Sequence, residues 1–164
     1  MNATIVIYGS STGTCEAIAE KIASKLGCET INVQDLTADT INDHQNLILG
    51  TSTWGAGELQ DDWYDGLKTL QDANLNGKTI ALFGCGDCEL YSDTFVGGIG
   101  ELYNAIKDSG ARFIGSVDTD GYTFDDSEAV IDGKFIGLPL DDINEDYKTD
   151  IRIENWLSAI SPEL

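Results

Sequence analysis

Basic residues are scarce in this chain, with nine Lys and Arg against 29 Asp and Glu over 164 residues and a formal net charge of −20. That balance argues against nucleic acid or an anionic membrane surface as partner and favours basic proteins. Histidine occurs once, at His44. With no second histidine and no second Cys-x-x-Cys pair to join it, His44 reads as a surface residue rather than a metal ligand. No apolar run approaches membrane-spanning length, and the N-terminus enters a strand at once instead of a signal-peptide pattern. The expected location is therefore the cytoplasm, where Cys15, Cys28, Cys85 and Cys88 stay reduced rather than forming a disulfide framework. Internal repeats, low-complexity tracts and linkers are lacking, and the length suits one domain over residues 1–164. No Ser-His-Asp, paired-carboxylate or metal constellation stands out.

What the chain does have is concentrated near its start, in Ile5-Val6-Ile7-Tyr8-Gly9-Ser10-Ser11-Thr12-Gly13-Thr14-Cys15-Glu16. The apolar, β-branched run predicts a buried parallel strand. A turn of small residues follows, in which Ser10, Ser11, Thr12 and Thr14 carry hydroxyls. Ile18, Ile22 and Leu26 then recur at helical spacing. Strand, hydroxyl-rich turn and helix N-terminus together make an anion site, because free amides and the helix dipole converge there. No Lys or Arg lies between residues 1 and 20, so the anion is held by neutral donors. A Walker loop is excluded, since Gly13 is followed by Thr14 and Cys15 and not by Lys. The dinucleotide fingerprint is excluded as well, since only Gly9 and Gly13 are present of its three glycines.

Further along, Thr30–Val33 predicts a short second strand, and residues 34–45 a polar stretch with at most one helical turn. Asn46–Gly50 predicts the third strand, followed by a loop over Thr51–Leu59. Trp63, Leu67 and Leu70 mark a helix, with a turn at Asn76-Gly77. Thr79–Phe83 predicts the fourth strand, opening onto a loop over Gly84–Tyr91. Phe95, Ile99, Leu102, Tyr103 and Ile106 trace a helix that Gly97, Gly98 and Gly100 weaken, so it must lean on packing. The last strand starts at Arg112–Gly115, is interrupted by an acidic segment over about 118–137, and resumes at Phe135–Leu138. A final helix carries Ile153, Trp156, Leu157 and Ile160. Five strands alternating with helices imply a doubly wound parallel sheet with helices on both faces. Loops 9–15, 51–59 and 84–91 follow strands one, three and four and therefore open on one edge, making one pocket.

The second and third loops each hold one aromatic, Trp54 and Tyr91, among glycines. Two aromatics across a gap suit a flat heteroaromatic ring, whereas Trp63 and Trp156 read as packing residues. Cys85-Gly86-Asp87-Cys88 has the spacing of a redox dithiol. The flanking carboxylates Asp87 and Glu89 would raise rather than lower a thiol pKa, so that reading is set aside.

The chain resembles a flavodoxin. The first loop of that family, Ser/Thr-x-Thr-Gly-x-Thr, is matched at residues 10–15 except that Cys15 replaces the last Thr, a weaker thiol donor for a hydroxyl. Thr-Trp-Gly-x-Gly-Glu-Leu-Gln is matched at Thr53 to Gln60, and Gly-Asp-Gln-x-x-Tyr at Gly86, Asp87 and Tyr91, with Cys88 in place of Gln. A third pattern appears as Val117-Asp118-Thr119-Asp120-Gly121-Tyr122-Thr123-Phe124, and the insertion over 118–137 distinguishes the long-chain class. The resemblance implies a flavodoxin-like three-layer α/β sandwich with a five-stranded parallel sheet in the order 2-1-3-4-5. It also implies noncovalently bound FMN. The implied cofactor residues are Ser10, Ser11, Thr12, Gly13, Thr14 and Cys15 for the phosphate. For the ring they are Thr51, Ser52, Thr53, Trp54, Gly55, Ala56, Cys85, Gly86, Asp87, Tyr91 and Thr94.

As a flavodoxin the protein is expected to be a low-potential one-electron carrier, monomeric, working between the semiquinone and the fully reduced flavin. It would serve a flavodoxin reductase and low-potential acceptors of basic charge, without substrate turnover of its own. Glu58, Asp61, Asp62, Asp65, Asp87, Glu89 and Asp93 ring the same rim. Each charge near 10 Å costs a reduced, anionic flavin roughly 1–2 kcal/mol at an effective dielectric of about 20. Two other readings are weighed against this. An FMN-dependent quinone reductase of flavodoxin-like fold needs open space over the ring, which Tyr91 would cover. A receiver-type signalling domain needs a phosphoaccepting Asp after strand three, where Gly50-Thr51 stands.

Overall fold

The computed structural model describes residues 3–9, 13–54, 58–59, 61–86, 94–141 and 144–164, with backbone alone at 53, 54, 58 and 59. The strands are β1 (Thr4–Gly9), β2 (Glu29–Asn32), β3 (Asn46–Trp54), β4 (Glu58–Leu59), β5 (Thr79–Cys85), β6 (Arg112–Ile114), β7 (Val117–Asp118), β8 (Val130–Ile131), β9 (Lys134–Phe135) and β10 (Leu138–Leu140). The helices are α1 (Thr14–Leu26), α2 (Ala38–Asn42), α3 (Trp63–Asp72), α4 (Gly97–Ile106) and α5 (Asp146–Ile160).

β2, β1, β3 and β5 pair in that order, all parallel, and β5 pairs on its far side with both β6 and β10. Counting β6 and β10 as one interrupted strand gives the expected order 2-1-3-4-5. Side chains alternate strictly between two covered faces. Ile5, Ile7, Leu47, Leu49, Ile80 and Leu82 meet Trp63, Leu70, Ile99 and Leu102 of α3 and α4. Val6, Tyr8, Ile48, Ala81 and Phe83 meet Ile18, Ile22, Ile153, Trp156 and Ile160 of α1 and α5. α1 ends at Gly27, whose φ of 69° lets its own N–H and that of Cys28 close onto Ser24 and Ala23 carbonyls.

Four strands differ in their limits from the sequence reading. The second strand is Glu29–Asn32, because the Asn32 side chain accepts the Gln34 amide at 2.9 Å and turns Val33–Asp35 into a 3-10 turn. The third and fourth strands run on to Trp54 and Cys85, so parts of the expected loops are sheet: Thr51 pairs with Gly84 and Ser52 with Cys85. β4 pairs antiparallel with the end of β3, with Thr53 opposite Leu59 and Trp54 opposite Glu58. Finally, Phe135 belongs to β9, and the fifth strand resumes only at Leu138.

The interruption has a clear mechanical form. β6 pairs with Thr79–Ala81 and β10 with Phe83–Cys85, leaving Leu82 between them. There Gly137 passes so close that a Cβ would lie 2.4 Å from the Leu82 carbonyl oxygen. The excursion forms a three-stranded antiparallel sheet, β7-β9-β8. It is held to α5 by Trp156, whose Nε1 donates to the Gly115 carbonyl at 2.8 Å, and by Arg152, which donates to the Gly121 carbonyl and covers the Tyr122 ring at 4.0 Å. Among the described residues no helix is long and apolar enough to cross a membrane.

Candidate functional site

Gly9, Thr51 and Gly84 lie side by side across β1, β3 and β5, as do Ser52 and Cys85 one residue further. The three strands are parallel, so the connections that follow them leave from one edge of the sheet. The chain goes from β1 outward to β2 on one side and from β3 outward to β5 on the other. The edge between β1 and β3 is thus the point where strand order reverses, where open α/β sheets bind ligands.

Gly13 caps α1 with φ 89°. Its carbonyl takes the Ala17 amide at 3.0 Å, which starts the helix and leaves the amides of Thr14, Cys15 and Glu16 without intrahelical acceptors. These amides carry the positive end of the α1 dipole. Ser10, Ser11 and Thr12 lie outside the described residues. Cys15 is 0% exposed and sits in the apolar cluster with Val6, Tyr8, Ile18 and Ile22. Behind the helix start, the Tyr8 hydroxyl donates to Glu16 at 3.1 Å. Burial, then Glu16, pushes its pKa above the ordinary tyrosine value.

On β3 Thr51 is fully buried and its hydroxyl donates to the Ser52 carbonyl at 2.8 Å. The Ser52 hydroxyl is buried and has no hydrogen-bond partner among the described residues. Thr53 and Trp54 are described by backbone alone, and Gly55 and Ala56 lie outside the described residues. Trp63, read from sequence as a packing residue, is 0% exposed and donates through Nε1 to the Gly50 carbonyl at 2.8 Å. On the third connection Cys85 is a buried strand residue and the Gly86 amide donates to Leu140 at 2.9 Å. Asp87, Cys88 and Tyr91 fall outside the described residues, so the facing aromatics and the dithiol do too. Thr94 is half-buried and leads directly into Phe95.

Of the acidic rim, Asp61 and Asp65 are exposed and Asp62 half-buried at the start of α3. The Glu58 side chain and all of Asp87, Glu89 and Asp93 are outside the described residues. His44 is half-buried at the opposite edge, before β3, with Nδ1 2.7 Å from the Thr40 carbonyl. Among the described residues no three His, Cys, Asp or Glu are grouped to hold a metal. The segments that meet at this edge carry no cation of their own, since no Lys or Arg occurs in residues 1–20, 51–59 or 84–94. What the sequence reading missed is Ser127, which holds Phe95 beside the third connection. A lone serine in an acidic segment gives no local signal of that role.

The flavodoxin family model matches residues 6–152. Flavodoxin 1 of Azotobacter vinelandii is 45% identical over 165 residues, covering 96% of this chain and 95% of its own. The chain belongs to the flavodoxin family. The flavodoxin of Helicobacter pylori is 41% identical over 156 residues, covering 94% of each chain. The crystal structure of Fusobacterium nucleatum flavodoxin bound to flavin mononucleotide superposes with a TM-score of 0.94 at 33% identity, over 100% of this chain and 99% of that one. Flavodoxins are electron-transfer proteins without substrate turnover, and the sheet order, the alternating faces and the ligand edge found here are those of that fold.

Proposed function

We propose that this flavodoxin binds FMN at the edge formed by Gly9, Thr51 and Gly84 and works as a low-potential one-electron carrier. The observation that carries the reading is the donor set. The opening of α1 at Gly13 leaves amides without intrahelical acceptors, and the Ser52 hydroxyl is buried without a partner among the described residues. Neutral donors at a helix N-terminus suit a phosphate, and the orphan hydroxyl suits a polar atom of the ligand.

In this reading Ser10, Ser11, Thr12, Gly13, Thr14 and Cys15 take the phosphate. Thr51, Ser52, Thr53, Trp54, Gly55 and Ala56 line one side of the ring. Cys85, Gly86, Asp87, Tyr91 and Thr94 line the other. Bound FMN supplies the one-electron chemistry. The chain's own residues bind and orient it, exclude water, and surround it with carboxylates that disfavour added negative charge. A quinone reductase of the same fold is not favoured by the relatives.

Residues 1–164 act as one unit of the long-chain class, with 118–137 as the insertion in the last strand. The protein works as a monomer in the cytoplasm, and its partners are basic redox proteins, a reductase and low-potential acceptors. Acid extraction of purified protein followed by chromatography tests the cofactor: released FMN is expected, and FAD or no flavin would overturn it. Thr12→Ala should weaken FMN binding by about 1–3 kcal/mol by leaving phosphate oxygens unpaired. Unchanged affinity would place the phosphate elsewhere.

A further inference from the structure

Val96, immediately before α4, has φ 46° and ψ 32° and no exposed surface. The left-handed region is disfavoured for a β-branched residue, so this geometry persists only where the surroundings over-determine it. The surroundings come from the insertion. Both backbone groups of Phe95 are taken by it: the Phe95 amide donates to the Asp126 carbonyl at 3.3 Å, and the Ser127 hydroxyl donates to the Phe95 carbonyl. The same Ser127 oxygen accepts the Ala129 amide at 3.1 Å, which fixes its direction. The Phe95 ring, with no exposed surface, packs against Tyr122, Phe124 and Phe135 of the insertion at centroid distances of 6.2, 5.8 and 6.0 Å.

On its other side the Phe95–Val96 pair meets Gly86. A Cβ on Gly86 would stand 3.0 Å from Val96 Cγ1, 3.1 Å from the Val96 nitrogen and 3.2 Å from Phe95 Cδ1. The residues that enter and leave the third connection, Gly86 and Thr94, are therefore set against a pair that the insertion holds from behind.

We propose that Ser127 is a positioning residue for cofactor binding: through Phe95 it fixes the strained Val96 turn and so sets where Gly86 and Thr94 stand. This rests on the reading of Gly86 and Thr94 as lining the flavin ring. It gives the insertion a role in organising the site from within the fold. Because the clamp acts on the ring side and not at Gly13, it predicts an equal effect on flavins with and without a phosphate.

The test compares Ser127→Ala with Ile160→Val, a truncation of a buried side chain on α5 away from the three connections. Thermal midpoints of both are recorded so that loss of affinity can be separated from loss of stability. FMN and riboflavin are titrated into the flavin-stripped full-length chain, and the visible circular dichroism of the bound flavin is measured. Ser127→Ala should raise both dissociation constants by the same factor, about tenfold for one buried hydrogen bond left unmade, and alter the dichroic bands. Ile160→Val should move the midpoint but neither constant nor the bands. Should Ser127→Ala not fold, Phe124→Leu loosens the same clamp by its ring contact and is held to the same outcome. Loss for FMN alone, equal loss in Ile160→Val, or no loss at all overturns the clamp. Absence of any flavin from the wild-type protein overturns the cofactor reading instead.

Discussion

Ser52 lies opposite Cys85 in the β3–β5 register, and its hydroxyl is buried there without a hydrogen-bond partner among the described residues. A hydroxyl removed from water and left unpaired costs about 1–3 kcal/mol, and a ligand atom that pairs with it offsets that cost. Ser52→Ala therefore has opposite effects on the two states. The flavin-free protein should be as stable as wild type or gain up to about 1 kcal/mol, while FMN binding weakens by about 1–2 kcal/mol. Urea unfolding and flavin titration read the two separately. Lower stability of the flavin-free variant would show that the hydroxyl serves the fold and not the ligand.

Trp63 bonds to Gly50 from the other face of the same strand, through Nε1 at 2.8 Å. It joins α3 to β3 just before β3 reaches the ligand edge. Gly50 is required there for a second reason, since a Cβ would fall 2.0 Å from the Phe83 ring. Trp63→Phe keeps an aromatic ring but strands a buried carbonyl and leaves a void. It should cost about 2–4 kcal/mol, seen as a lower urea midpoint with an unchanged slope. A loss below about 0.5 kcal/mol would mean that α3 is anchored by its apolar contacts alone.

The strand cores were legible because each is buried on both faces, so Ile5–Ile7, Leu47–Leu49 and Ile80–Phe83 read as continuous apolar runs. Their ends were not. Thr51-Ser52-Thr53 and Gly84-Cys85 have loop-like composition, yet central strands on either side supply their backbone partners, and that pairing is non-local. The burial of Cys15 was legible too, although it also belongs to the hydroxyl-rich motif. The decisive signal was in the helix, where Cys15, Ile18, Ala19 and Ile22 fall at i, i+3, i+4 and i+7 on the buried face. The insertion was visible as an interruption, but its attachment depends on Phe95 meeting Tyr122, Phe124 and Phe135 across the sequence, which no local period encodes.

Gly100 shows why α4 tolerates its glycines. A Cβ there would lie 2.5 Å from the Glu128 carbonyl oxygen, so the insertion backbone occupies the space a side chain would fill. Helix propensity favours alanine over glycine by about 1 kcal/mol, but the contact is with backbone that cannot rotate away. Gly100→Ala should therefore destabilise, by about 1–3 kcal/mol net. Calorimetry or urea unfolding decides the sign, and a stabilised variant would show that the insertion rides on α4 loosely.

The net charge of −20 predicts how partners are met. Exposed Asp61 and Asp65 beside the ligand edge attract a basic surface across a distance that salt screens. The bimolecular electron-transfer rate constant with a basic reductase should fall as salt rises from low to high ionic strength. A flat dependence would place docking on an uncharged face.

Tyr122 couples the insertion to alkaline pH. Its hydroxyl donates to the Pro139 carbonyl at 2.8 Å. Burial raises its pKa from 10.0 to about 12, with Arg152 opposing and Glu145 adding to the shift. Between those two values the folded protein holds a proton that the unfolded chain has lost. Unfolding then releases a proton, and stability declines as pH rises. The contribution is complete below pH 10 and disappears as pH passes about 12, about 2–3 kcal/mol in all. Tyr122→Phe has no proton to lose and no hydroxyl to donate. At pH 8 it should be less stable than wild type by about 0.5–1.5 kcal/mol, the worth of the bond to Pro139. Lysines and the other tyrosines titrate in both proteins, so the difference between the two curves isolates this residue. The gap should close above pH 10 and reverse toward pH 12. Urea midpoints measured across that range test it, and a gap that stays constant would mean that Tyr122 ionises as freely in the folded protein as in the unfolded chain.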